Sequence, residues 1–189
     1  MKKINIIITL LSLFCIGCYT KVKCPGFPND LNIFPYYENQ KLKFINSQQD
    51  FRDFIPYQIR QQKPFTCKTP LNHPHECECT CSSYSELRAY FVQNTIGVYA
   101  MCWLSGEGRN GFYAIEVDFS FSYDTHSDNF TKTLFEGNTI PHKDIGKYVE
   151  DTICIENENN KSVTKIVVVK GKGLVSYTTA DGEEWKLVE

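Results

Sequence analysis

Phe112-Tyr113-Ala114-Ile115-Glu116-Val117-Asp118-Phe119-Ser120-Phe121-Ser122-Tyr123 alternates apolar and polar side chains along its length. Tyr113, Ile115, Val117, Phe119, Phe121 and Tyr123 fall on one face of an extended chain. Ala114, Glu116, Asp118, Ser120 and Ser122 fall on the other. A period of two held this long describes an antiparallel strand with one buried and one wet face. Just upstream, residues 95–104 place Ile96, Val98, Ala100, Cys102 and Leu104 on one face and Tyr99, Met101 and Trp103 on the other. With apolar groups on both sides, that strand is expected to be covered on both.

Ser105-Gly106-Glu107-Gly108-Arg109-Asn110-Gly111 joins the two segments. Its glycines have the spacing of a dinucleotide-binding loop, but that loop must lead into a helix. Here a strand follows, so a hairpin turn is expected. A second hairpin set closes the chain: a β-branched run at 163–170, a break at Gly171-Lys172-Gly173, a strand at 174–179, a turn at Asp181-Gly182 and a last strand at 183–188. Weaker strands are expected near 41–46, 51–59, 84–92, 130–135 and 152–156, with Pro56 marking an edge or an interruption. Residues 143–150 could form a short helical turn. The expected class is all-β, an antiparallel β-sandwich or small barrel built from hairpins.

At the N-terminus, Lys2 and Lys3 precede an apolar run from about Ile4 to Ile16. A bilayer core roughly 30 Å thick needs about 20 apolar residues, so this run fits a cleavable leader rather than a span. It ends in Cys15-Ile16-Gly17-Cys18, which resembles the lipobox of bacterial lipoproteins. That resemblance implies cleavage before Cys18 and acylation there, with enough acyl chains (palmitate among them) for stable anchoring. The alternative is an ordinary secreted protein cut near Gly17, with Cys18 in a disulfide. The expected organisation is a signal peptide at 1–17, a lipidated tether at 18–30 and a single β domain at 31–189.

No acidic run follows Cys18, and by the same resemblance this favours an outer-membrane anchor facing the periplasm. The closing segment, Lys170 to Val175 with Asp181-Gly182 and Trp185-x-Leu187, resembles small uncharacterised Gram-negative envelope lipoproteins. Those carry over no activity. Asp151-Thr152-Ile153 resembles an envelope O-glycosylation site.

Removing Lys2 and Lys3 from 20 basic residues, against 22 acidic ones, leaves a mature charge of about −4. Nucleic acid wants a basic face and is not an expected partner. Expected partners are a membrane, reached through the lipid, and another envelope protein or a glycan.

The unusual constellation is His73-Pro74-His75-Glu76-Cys77-Glu78-Cys79-Thr80-Cys81, where His73, His75, Cys77, Cys79 and Cys81 recur at every second residue and share a face if extended. Imidazole and thiolate together suit zinc or copper(I). Against a metal, these cysteines lack the C-x-x-C spacing, and five ligands exceed zinc's usual four. Export to an oxidising compartment points instead to disulfides. With Cys18 acylated, Cys24, Cys67, Cys77, Cys79, Cys81, Cys102 and Cys154 remain, and their connectivity is open. Disulfides are the expected state, and no cofactor is expected.

Catalytic signatures are sparse. The chain has no G-x-S-x-G elbow, phosphate loop or H-E-x-x-H. His126 falls in a polar loop. Cys79 with His142 could be drawn as a nucleophile pair, and Glu116 with Asp118 as paired carboxylates, but an amphipathic strand accounts for the latter. The leading expectation is a non-enzymatic binding module. The alternatives are a metal-binding periplasmic lipoprotein using the His73–Cys81 segment and an enzyme of unrecognised type.

Overall fold

The computed structural model describes residues 19–37, 39–70, 81–90, 95–106, 111–123 and 125–188, with backbone alone at 19, 20, 69, 70, 81–90 and 95. The fold is all-β. Its strands are β1 (Tyr19–Cys24), β2 (Leu42–Ile45), β3 (Phe51–Gln61), β4 (Phe65–Pro70), β5 (Cys81–Tyr90), β6 (Thr95–Gly106), β7 (Phe112–Ser122), β8 (Ser127–Ile140), β9 (Thr152–Glu156), β10 (Val163–Val169), β11 (Gly173–Thr179) and β12 (Glu184–Leu187). A 3₁₀ turn, His142–Lys147, precedes β9. It lies where the sequence allows a short helical turn.

Ten strands form one antiparallel sheet in the order β8-β7-β6-β5-β3-β2-β12-β11-β10-β9, and β1 pairs with β4 apart from it. The long sheet curls into a half-barrel. Its core lies on the concave side, where both halves share one apolar cluster that includes Phe44, Phe54, Val117, Phe121, Ile166, Val168 and Tyr177. Rings there meet edge-on or tilted: Phe44–Phe54 at 5.4 Å, Phe121–Phe130 at 6.2 Å and Phe121–Tyr177 at 5.3 Å. Such offset geometries favour aromatic pairs beyond the area they bury.

The segment expected to be a tether and turn contributes to this core. Tyr19 to Cys24 form β1 and Phe27 is buried in the shared cluster; just past the expected tether, Leu31, Ile33, Phe34 and Tyr36 are buried there too. Phe27 donates its N–H to Gln62 O at 2.8 Å, and His142 Nε2 lies 2.9 Å from Gly26 O.

Pro56 is neither on a sheet edge nor simply a break. β3 pairs with β2 through Phe51–Phe54 and with β5 from Ile55 onward, and the register shifts between Pro56 and Gln58. The strand changes partners where proline cannot donate to a ladder.

β7 keeps its expected alternation from Ile115 to Ser122. At its start the face is the reverse of the expected one: Phe112 is buried and Tyr113 half-buried. The ladder with β6 shifts register between Ser105 and Gly106, where β7 takes two steps from Phe112 to Ala114 against one on β6, and one added residue flips the face.

Candidate binding face

β6 presents Ile96, Val98, Ala100, Cys102 and Leu104 to the core as expected. Its other face is open rather than covered. Tyr99 retains 37 % of its accessible surface and Trp103 39 %. Both rings thus keep more than a third of their surface in water. Local pattern gives which residues share a face. Whether a second layer arrives to cover that face is decided by long-range topology.

The ladders fix what surrounds these aromatics. Tyr99 stands opposite Ser120, which stands opposite Asn129. Met101 aligns with Asp118 and Thr131, and Trp103 with Glu116 and Thr133. A shallow groove of about 340 Å³ runs over this patch, bordered by Tyr99, Met101, Trp103, Asp118, Asn129 and Thr131. Thr131 Oγ1 donates to Asp118 Oδ1 at 2.7 Å, which pins one carboxylate oxygen.

Gly97 shapes the groove. A Cβ built there would sit 3.2 Å from Tyr99 Cε2 and 3.6 Å from both Cζ and Oη. The tyrosine ring therefore leans along the strand over the space glycine leaves and stays low on the sheet.

A second polar cluster lies where the two ends of the curled sheet approach. His126 stacks on Tyr123 with centroids 4.9 Å apart and places Nε2 2.8 Å from Ser162 Oγ. Asp128 Oδ2 lies 3.9 Å from that same Nε2. Serine, histidine and aspartate are thus adjacent, but the order is wrong for nucleophilic catalysis. The carboxylate must hold the nitrogen that the serine does not use. Here Nδ1 meets Thr125 Oγ1 at 3.1 Å. The Asp128 carboxylate instead accepts backbone N–H groups from Lys161, Ser162 and Val163 at 2.8–2.9 Å. Burial and the charge of Asp128 push the Tyr123 phenol up to about 12, a protonated partner suited to a structural network. His126 is therefore part of this network, not a free loop histidine.

Of the expected metal ligands, His73, His75, Cys77 and Cys79 lie outside the described residues, and Cys81 opens β5 with its backbone alone described. Among the described residues no cluster of histidine, cysteine and carboxylate could hold a metal ion. Cys24 and Cys67 are disulfide-bonded. Of the seven cysteines whose pairing the sequence leaves open, Cys102 and Cys154 carry free thiols. Cys102 faces the core, and burial beside the charge of Asp118 raises its thiol pKa well above the ordinary range.

His142 lies against Gly26 O and the Phe112 ring, a structural placement. Glu116 and Asp118 share the outer face of β7, and Asp118 is committed to Thr131.

A second outer groove, about 420 Å³, is bordered by Pro35, Leu42, Val169, Val175, Leu187 and Lys172. Its polar lining is Gln40 and Lys172, and it presents no large exposed aromatic ring. No known protein family, curated protein or solved structure matches this chain.

Proposed function

We propose that this chain is a non-enzymatic binding module of the cell envelope, exported by its N-terminal leader and held to a membrane through an acylated Cys18. The observation that carries the binding role is the open outer face of β6–β8. There two large aromatic side chains, Tyr99 and Trp103, remain in water beside a row of hydroxyl, amide and carboxylate groups. Apolar surface left exposed in a patch rimmed by polar groups marks an interaction site more often than isolated apolar residues do. The seam cluster, with its reversed order, supports binding over catalysis.

The anchor has a steric consequence under this reading. β1 begins at Tyr19 and ladders with β4 along its whole length. Lipid at Cys18 would leave almost no slack between the bilayer and the β1–β4 pair, so the module would sit on the membrane surface.

Two measurements test the proposal. Fatty-acid labelling of the native protein should mark a mature form that starts at residue 18, and Cys18→Ser should abolish the label. Purified mature domain should co-sediment with isolated cell-envelope fractions, and Tyr99→Ala with Trp103→Ala should release it while Phe51→Ala with Tyr57→Ala, exposed aromatics of β3, should not. Equal retention of both double variants would overturn the assignment of the face.

A further inference from the structure

Resting on that reading of the β6–β8 face, we infer that its ligand is a neutral saccharide chain, laid along β6 with sugar rings on Tyr99 and Trp103 and hydroxyls on the neighbouring polar row.

The first support is the shape of the aromatic surface. Sugar rings carry C–H groups on their flat faces, and these pack on the negative face of an aromatic ring. Tyr99 leans over Gly97, where a side chain would meet its ring at 3.2 Å. Trp103 lies four residues further along β6, on the same face. At the strand rise this separates their Cα positions by about 13 Å, room for an elongated ligand that bridges the two side chains over Met101.

The second support is the polar row. Ser120, Asn129 and Thr131 border the same groove beside Asp118. Hydroxyls, an amide and a carboxylate both donate and accept, as a ligand built of hydroxyls requires. Asp118 accepts one hydrogen bond from Thr131, and a carboxylate has about four acceptor positions. A protein partner would favour a different composition, an apolar centre depleted of charge with polar groups confined to the rim. Here a charged group, Asp118, stands opposite Met101, midway between the two aromatics, with Thr131 beside it.

The third support is charge. Among the described residues the groove holds a carboxylate, Asp118, and no cation, with Glu116 next to it on the same face of β7. A uronate, sulfate or phosphate would meet like charge from these two carboxylates, which favours neutral sugars.

Calorimetric titration of the mature domain with cellohexaose, maltohexaose and chitohexaose is the test, with oligogalacturonate as the charged comparator. At least one neutral oligomer should bind saturably, with Kd on the order of 1 mM or tighter. Trp103 and the buried Trp185 are the two tryptophans, so binding should shift the emission of the exposed one. In Trp103→Phe, which keeps a stacking ring, that shift should vanish while calorimetry still detects binding. Tyr99→Ala and Trp103→Ala should each weaken binding about tenfold with an unchanged circular dichroism spectrum.

Preference for oligogalacturonate, or affinity unaffected by these variants, would overturn the saccharide assignment. If no neutral oligomer binds but envelope co-sedimentation still depends on Tyr99 and Trp103, the saccharide assignment falls and the binding face stands. If that dependence is also missing, both fall.

Discussion

The Asp128 carboxylate, 2 % exposed near the start of β8, accepts the backbone N–H of Val163 at the start of β10 through Oδ2 at 2.9 Å. The same oxygen takes Ser162 N at 2.8 Å, and Oδ1 takes Lys161 N at 2.9 Å. β8 and β10 do not pair in the sheet, so this carboxylate joins one end of the curl to the other.

Asp128→Ala should therefore cost about 3 kcal/mol or more, since several backbone donors lose their acceptor together and buried donors left unpaired cost about 1–3 kcal/mol each. Asp128→Asn keeps one acceptor oxygen and should cost less. Urea unfolding gives the magnitudes. Hydrogen exchange gives the place: in the alanine variant the amides of Ser162 and Val163 should lose protection before those of β6 and β7.

Alkaline pH should destabilise the fold through three phenols. Burial raises the pKa of Tyr36, Tyr123 and Tyr177 above the ordinary tyrosine value of about 10. Below pH 10 these phenols are neutral in both folded and unfolded chains and their contribution is fully present. Above it the unfolded chain ionises while the folded one holds its protons, so stability falls as pH rises, by about 1.4 kcal/mol per pH unit for each fully buried phenol. Chemical denaturation midpoints should stay flat to about pH 9 and then decline steeply. Tyr36→Phe should flatten the decline and lower neutral-pH stability by about 1 kcal/mol or more, because Tyr36 Oη accepts the buried N–H of Leu174 at 2.7 Å.

The two free thiols among the described residues should separate cleanly under alkylation. Cys154 is exposed on β9, whereas Cys102 is fully buried with its thiol held protonated. Reactivity follows the accessible thiolate. Iodoacetamide should label Cys154 in the native protein about a hundredfold faster than Cys102, which should react only on unfolding. Peptide mass spectrometry after a timed quench reads the ratio. Comparable rates would mean that the core side of β6 is open to solvent.

Gly173 and Gly182 share nearly the same positive φ, +82° and +85°, in different surroundings. A Cβ at Gly182 meets nothing within 4 Å, whereas one at Gly173 would fall 2.2 Å from Tyr36 Oη. Gly182→Ala should cost about 1–2 kcal/mol, the conformational penalty alone. Gly173→Ala should cost about 3 kcal/mol or more, because it also displaces the hydroxyl that caps Leu174 N. Melting curves of the two variants side by side isolate the steric part.

The strands legible in the sequence are those whose side chains carry the whole message. Ile115, Val117, Phe119 and Phe121 announce β7 unaided, and Asp181-Gly182 announces its turn. β1 and β4 were not legible. Val22 and Cys67 face each other across that pair, and neither short segment has a period of its own. The candidate face is half legible: Tyr99, Met101 and Trp103 can be grouped, but their exposure depends on where distant strands go. The Asp128 bridge left no trace, because its partners are backbone N–H groups, which every residue but proline owns.

A sheet of ten strands has two outer rims, and here the rims belong to β8 and β9. Lys132 Nζ on one donates to Cys154 O on the other at 3.2 Å, and Asn157 and Asn160 side chains take Asn129 O at 3.0 and 3.2 Å. Two carbonyls that could recruit a strand from a neighbouring copy, Cys154 O and Asn129 O, are occupied from within by long polar side chains that hold the rims short of a ladder there. A neighbouring copy approaching edge-on would thus find the rims closed to strand addition at Cys154 and Asn129.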